Sequence, residues 1–215
     1  IHESVARIAC RLMSGEMNMP RPRNSLSAAD SRPRLRRAYF ECRYGQLHVH
    51  YAVPPGGGFD EAVTLLCFHQ SPMSARVFDR FLGLAGRERS VYAVDTPGFG
   101  ASDATPSQPA IADYAAAMLD FLDTMHLRRV DLLGYHTGAL IAAELALARP
   151  EAVRRLVLVG VPLLTDLERA AFRKSPWPQP VAQDGSHLLA EWQRSVQWRG
   201  PGVSLDMVAA GFADK

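Results

Sequence analysis

The residues whose types and spacing best suit chemistry are Gly134-Tyr135-His136-Thr137-Gly138. They follow an apolar, strand-like run, Val130-Asp131-Leu132-Leu133, and precede an alanine-rich helical stretch. A tight strand-to-helix bend lifts the side chain at its tip clear of the sheet, and glycines two residues to either side let strand and helix approach. Gly134 and Gly138 fill those places, which puts His136 at the tip. Moving the tip to Thr137 would shift the small positions onto Tyr135 and Ala139, and Tyr135 is far too large. Thr137 is therefore read as the source of a backbone N–H for an oxyanion, not as a nucleophile. A neutral imidazole at the tip can serve as general base on water or on a substrate C–H or O–H, or attack an acyl group directly. The competing reading is a degenerate site in which the ring only fills a pocket.

Two further segments stand in a fixed order upstream. Val63-Thr64-Leu65-Leu66-Cys67-Phe68 reads as a buried strand and ends in His69-Gln70-Ser71-Pro72. Val91-Tyr92-Ala93-Val94-Asp95 reads as the next strand and continues into Thr96-Pro97-Gly98-Phe99-Gly100-Ala101-Ser102-Asp103. The first loop resembles the His-Gly-x-Pro turn after the third strand of α/β hydrolases, with Gln70 in place of the usual glycine. The second resembles that family's Asp-x-Pro-Gly-x-Gly-x-Ser signature after strand four, and the elbow resembles its Gly-x-Ser-x-Gly nucleophile turn. Together the three motifs cover roughly residues 38–165. The chain is similar to uncharacterised bacterial α/β-fold hydrolases with a His-Gln-x-Pro loop and a Gly-x-His-Thr-Gly elbow.

The resemblance implies an α/β-hydrolase fold: a mostly parallel, twisted sheet with helices on both faces. It implies backbone N–H donors at Ser71 and Thr137, with His136 in the nucleophile's place. His69 and Asp95 would shape loops without transferring protons. It names no substrate beyond a small ester-like or other apolar molecule.

Composition narrows the class. The apolar fraction of 47% and charged fraction of 21% suit a single globular domain over these 215 residues. No stretch reaches the ~18 consecutive apolar residues of a membrane span. Arg7, Arg11 and Glu16 interrupt any secretory apolar region. Cys10, Cys42 and Cys67 form no spaced framework, so neither a metal site nor any other cofactor is expected, and a reducing, cytoplasmic setting fits. Residues 1–37 hold eight arginines against Glu3, Glu16 and Asp30, among prolines and serines, and read as a disordered leader. Arginine outnumbers lysine 22 to 2, which reflects a GC-rich coding genome more than a nucleic-acid partner.

The remaining elements must position the elbow. Gln46–Val53 alternates apolar and polar residues and reads as a half-buried strand, with His48 and His50 toward solvent, paired with 38–44 across a turn at Gly45. A metal-binding role for the two histidines is the weaker reading. Residues 74–86 form a helix. Ile111, Tyr114, Ala115, Met118, Leu122 and Met125 mark a second, amphipathic one. The helix from Thr137 ends before Pro150. Leu156–Val161 is continuously apolar and is expected to be a parallel strand covered on both faces. Strands one to six thus occupy 38–164, and 165–215 reads as part of a helical cap, opening with a Thr165–Glu168 capping box. Trp177, Trp192 and Trp198 are candidates to line a pocket or to pack the cap. Asp166 sits in a helix first turn, and Asp184 with His187 reads as a surface pair.

A serine-type triad also needs an acid and a histidine after later strands. Neither is found before Lys215, so the sequence is expected to be a C-terminally incomplete hydrolase. The readings left open are an enzyme acting through His136, a non-catalytic small-molecule-binding protein, and an inactive fragment. The edge of strand six would then be an open ladder, which proteins normally protect. The expected outcome is self-association or poor solubility of residues 1–215, and a stable monomer in size-exclusion chromatography would contradict it.

Overall fold

The computed structural model describes residues 33–55, 63–174 and 180–212. The described chain divides into two compact units, one ending at Val161 and one beginning at Pro162. Most of the proposed leader and Trp177 lie outside the described residues.

The first unit is a six-stranded sheet. Its strands are β1 (Arg36–Cys42), β2 (Gly45–Ala52), β3 (Thr64–Phe68), β4 (Val91–Val94), β5 (Val130–Tyr135) and β6 (Val153–Val159). They lie in the order β1-β2-β4-β3-β5-β6. The β1–β2 and β2–β4 pairs are antiparallel, while β3–β4, β3–β5 and β5–β6 are parallel. A short 3-10 turn, Ala75–Phe78, leads into α1 (Asp79–Ala85); α2 (Ile111–Thr124) and α3 (Thr137–Ala148) follow.

Alternation along the strands sorts the core into two layers. Leu47, Val49, Leu66, Phe68, Tyr92, Val94, Val130 and Leu132 pack with Met118, Phe121 and Leu122 of α2 and Ile141 and Leu145 of α3. Leu65, Cys67, Val91, Ala93 and Leu133 face the other way, onto Ala75, Phe78, Phe81 and Leu82. Helices therefore cover both faces of the sheet.

Three expectations need correction. Strand β1 begins at Arg36, inside the supposed leader, and the hairpin turn falls at Arg43-Tyr44 with Gly45 already in β2 at φ 116°. His48 and His50 do not face solvent; they are 7% and 2% exposed. The 3-10 turn and α1 cover that side of β2, and acidic partners satisfy the rings. His48 Nδ1 lies 2.8 Å from Asp95 Oδ2, and His50 Nδ1 lies 2.6 Å from Asp79 Oδ1. Arg37 Nε donates to His50 Nε2 at 3.2 Å. A guanidinium can only donate, so this nitrogen is the acceptor and Nδ1 is left to donate to Asp79. An alternating strand is half-exposed only when its polar residues lack buried partners.

The third correction concerns β6, whose apolar run suggested cover on both faces. Leu156 is 39% and Leu158 40% exposed, while Val157 and Val159 lean on the second core layer. Among the described residues β6 has β5 as its sole strand neighbour. An edge strand with one neighbour cannot be enclosed as a central one is.

The base of β6 is held electrostatically. Asp131, fully buried on β5, accepts from Arg154 Nε at 2.8 Å, Arg154 Nη2 at 2.6 Å and Arg89 Nη1 at 2.7 Å. Burial pushes this carboxyl upward, but the two guanidinium groups outweigh it and hold it below the usual carboxylate range. A depressed folded value means the stabilisation is complete above the unfolded value of about 3.9 and is lost as pH falls through the folded one. Asp131→Asn is expected to cost about 3–5 kcal/mol in urea unfolding at neutral pH. The gap between variant and wild type should close below about pH 4.

The second unit contains α4 (Asp166–Arg173), α5 (Ser186–Gln197) and α6 (Leu205–Phe212). The capping box at its start is formed: Glu168 N–H donates to Thr165 Oγ1 at 3.3 Å, and Thr165 N–H donates to Glu168 Oε2 at 2.8 Å. Trp192 packs edge-on against Phe212, with centroids 5.6 Å apart, whereas Trp198 is 75% exposed. Asp184 Oδ1 accepts from Ser186 N–H and His187 Nδ1 from Ala182 N–H, so both serve the start of α5.

Candidate active site

Four loops meet at the carboxyl ends of the parallel strands, where open α/β sheets carry their sites. They contribute His69 to Ser71 after β3, Asp95 to Ser102 after β4, His136 and Thr137 after β5, and Gly160 after β6.

His136 is the bend itself. Its backbone sits at φ 54° and ψ −115°, a region that L-residues with a Cβ seldom occupy, and Thr137 begins α3 immediately afterward. Two close approaches enforce the bend. A Cβ on Gly138 would run into the carbonyl of Phe68 and lie 2.7 Å from the carbonyl oxygen of His69. A Cβ on Gly134 would strike Ala139 and the Gly138 carbonyl. The His136 amide donates to the Val159 carbonyl at 2.8 Å, and the Ala139 amide donates to the His136 carbonyl at 2.9 Å. The strain of the central residue is thus held by main-chain contacts on both sides. Its ring projects outward and is exposed.

Among the described residues the ring's polar partner is the Thr137 hydroxyl, with Nδ1 3.5 Å from Oγ1. The same Oγ1 accepts from the Ser71 amide at 3.4 Å. The structure therefore brings together His136, Thr137 and Ser71, the three residues assigned to catalysis and to the oxyanion. No described carboxylate hydrogen-bonds to His136.

His69 and Asp95 lie behind this front row. His69 Nε2 accepts the Thr96 amide at 2.9 Å, so its proton is on Nδ1, 2.9 Å from the Gln70 carbonyl. Both ring nitrogens are committed to the main chain of two loops. Asp95 Oδ1 accepts from the Ala75 amide at 2.6 Å, and Oδ2 accepts from the Ala101 amide at 3.0 Å and contacts His48 Nδ1. Ser102 Oγ donates to the Asp95 carbonyl and accepts from the His48 amide. The signature loop closes around this carboxylate, and a Cβ on Gly100 would overlap it. His48 is the participant that sequence reasoning missed. Its signal was a histidine facing inward beside a loop rich in main-chain donors, which only the pairing of β2 with β4 reveals.

Among the described residues no group of three or more histidine, cysteine, aspartate or glutamate side chains is placed to hold a metal ion. Nor is any described helix long and apolar enough to cross a membrane.

Strand order, elbow and loops define a hydrolase-type scaffold, and comparison with known proteins agrees. The chain belongs to the α/β-hydrolase fold family, whose sequence profile matches residues 63–209. A 2-hydroxy-6-oxononadienedioate/2-hydroxy-6-oxononatrienedioate hydrolase of Paraburkholderia phymatum is 34% identical over 120 residues, covering 54% of this chain and 40% of that protein. An (E)-2-((N-methylformamido)methylene)succinate hydrolase of Acinetobacter baylyi is 29% identical over 112 residues, covering 52% and 43%. The epoxide hydrolase of Vigna radiata superposes with a TM-score of 0.64 at 17% identity, over 84% of this chain and 66% of that one, a likeness of fold. The chain spans less than half the length of the curated relatives it matches.

Because the strain at residue 136 is local, relieving it should stabilise the fold. His136→Gly is expected to raise unfolding free energy by about 1 kcal/mol. Gly138→Ala should lower it by about 1–3 kcal/mol through the Phe68 carbonyl clash. Thermal melts of the two variants, moving in opposite directions, check both.

Proposed function

We propose that the chain acts as an α/β-fold hydrolase on a small ester-like or other apolar substrate, with His136 as general base or nucleophile. The observation that carries this reading is the strained backbone of His136, held between two obligatory glycines with the Ser71 amide nearby. Strain of this kind persists only where surrounding contacts over-determine it, and it gathers at working sites. The exposed ring can reach a bound molecule, and amides of the kind at Ser71 and Thr137 stabilise charge developing on an acyl oxygen. Relatives named as hydrolases of small organic acids support the reaction class.

A second reading is a small-molecule-binding protein without turnover. It is favoured by the imidazole at the elbow tip and by the lack of a described carboxylate partner for it.

One variant separates the two. Under the first reading His136→Ala lowers turnover of a p-nitrophenyl ester panel by about 100-fold or more. Under the second it leaves ligand affinity largely intact and there is no turnover to lose. Equal ester hydrolysis by wild type and His136→Ala would remove the catalytic role. A fluorophosphonate probe is expected to leave residue 136 itself unlabelled.

A further inference from the structure

We infer that the acyl-accepting nucleophile of this elbow is the Thr137 hydroxyl, one residue beyond the bend, activated by His136. The inference rests on the hydrolytic reading above and deepens it. Glycine spacing argues for His136 at the tip, and the structure agrees. Spacing locates the bend, however, and not the oxygen. The hydroxyl that the tip lacks is found next door.

Its surroundings match what such an oxygen requires. Thr137 Oγ1 stands 3.5 Å from an imidazole nitrogen that can take its proton, and 3.4 Å from the Ser71 amide. A hydroxyl has one hydrogen to give and lone pairs to accept with. With the Ser71 N–H pointing into Oγ1, the O–H is left to donate to His136 Nδ1. Both contacts are long for hydrogen bonds, as catalytic contacts commonly are before a substrate tightens them. An acyl carbon bonded to Oγ1 would carry its oxygen beside that oxygen, within reach of the same Ser71 amide. The backbone N–H of Thr137 would be the second donor, as a nucleophile's own amide can be.

The step balances without an added reagent. Oγ1 bonds to the acyl carbon as its proton passes to Nδ1. Collapse of the tetrahedral species breaks the acyl–oxygen bond to the leaving alcohol, which takes the proton from Nδ1. Water then gives a proton to Nδ1, attacks the acyl-threonine and releases the acid, and the imidazolium returns the proton to Oγ1.

The test uses the full chain with p-nitrophenyl butyrate and a fluorophosphonate, followed by peptide mass spectrometry. The expected adduct lies on Thr137. Thr137→Ser should keep hydrolysis within about tenfold of wild type, whereas the near-isosteric Thr137→Val should lose about 100-fold with an unchanged melting temperature. Hydrolysis by Thr137→Val within about threefold of wild type, or active enzyme bearing no adduct at residue 137, would overturn the assignment and leave the base role of His136 standing. If wild type neither hydrolyses esters nor takes the probe, the hydrolytic reading itself falls and this one falls with it.

Discussion

Phe68 ends β3 with its carbonyl directly under the first turn of α3, so close that residue 138 has no room for a side chain. From that one approach follow the steepness of the bend after β5, the positive φ of His136 and the exposure of its ring. The same approach brings the loop after β3 alongside the start of α3, which is why the Ser71 amide can reach Thr137. The parallel pairing of β3 with β5, in register from Thr64 opposite Val130 to Phe68 opposite Gly134, makes the approach unavoidable. The site is therefore a product of strand register, with side chains added afterward.

Around that contact the fold spends its buried polar groups on holding loops. His69 ties the start of one loop to the start of the next. Asp95 gathers amides from two segments and the ring of His48. Each is almost wholly buried, so leaving any of them unpaired would be expensive. Their satisfaction also disqualifies them from chemistry. His69 has both nitrogens on main-chain atoms, and His50 stands between a guanidinium and a carboxylate. The imidazole of His136, by contrast, is exposed, and among the described residues its polar partner is a hydroxyl.

The central strands, the helix from Ile111 and the elbow were legible because each follows a local pattern: a short apolar run, a 3.6-residue period, a pair of glycines. Two of the three failures were non-local. Nothing in Gln46–Val53 says that Asp79 and Asp95, tens of residues away in sequence, will lie over its histidines, and an alternating strand with buried polar partners looks the same as one facing water. Leu156–Val159 likewise has the composition of a strand covered on both faces, although the open edge expected of it is found among the described residues, and a covered and an exposed face look alike in composition. Sheet order decides between them, and order is a property of the whole chain. At the site, spacing located His136 but gave no hint that the neighbouring hydroxyl would sit between its ring and the Ser71 amide. That arrangement depends on a threonine rotamer set by a loop more than sixty residues upstream.

A nucleophile at the tip of an elbow gains exposure from the strained backbone and still needs a base brought from elsewhere in the chain. Placing the imidazole at the tip exchanges these requirements. The base then enjoys the exposure, and the hydroxyl, as the first residue of α3, is half-buried beside an amide donor. In the proposed mechanism nucleophile and base are sequence neighbours set by one bend. The cost is orientation. No described carboxylate fixes the ring of His136; its described polar partner is Thr137, and adjacent residues on a strained turn have few rotamers that satisfy both. On the proposed mechanism, such an elbow would suit activated acyl substrates, whose leaving groups need little help, better than amides, which require a well-aligned acid to protonate the departing nitrogen.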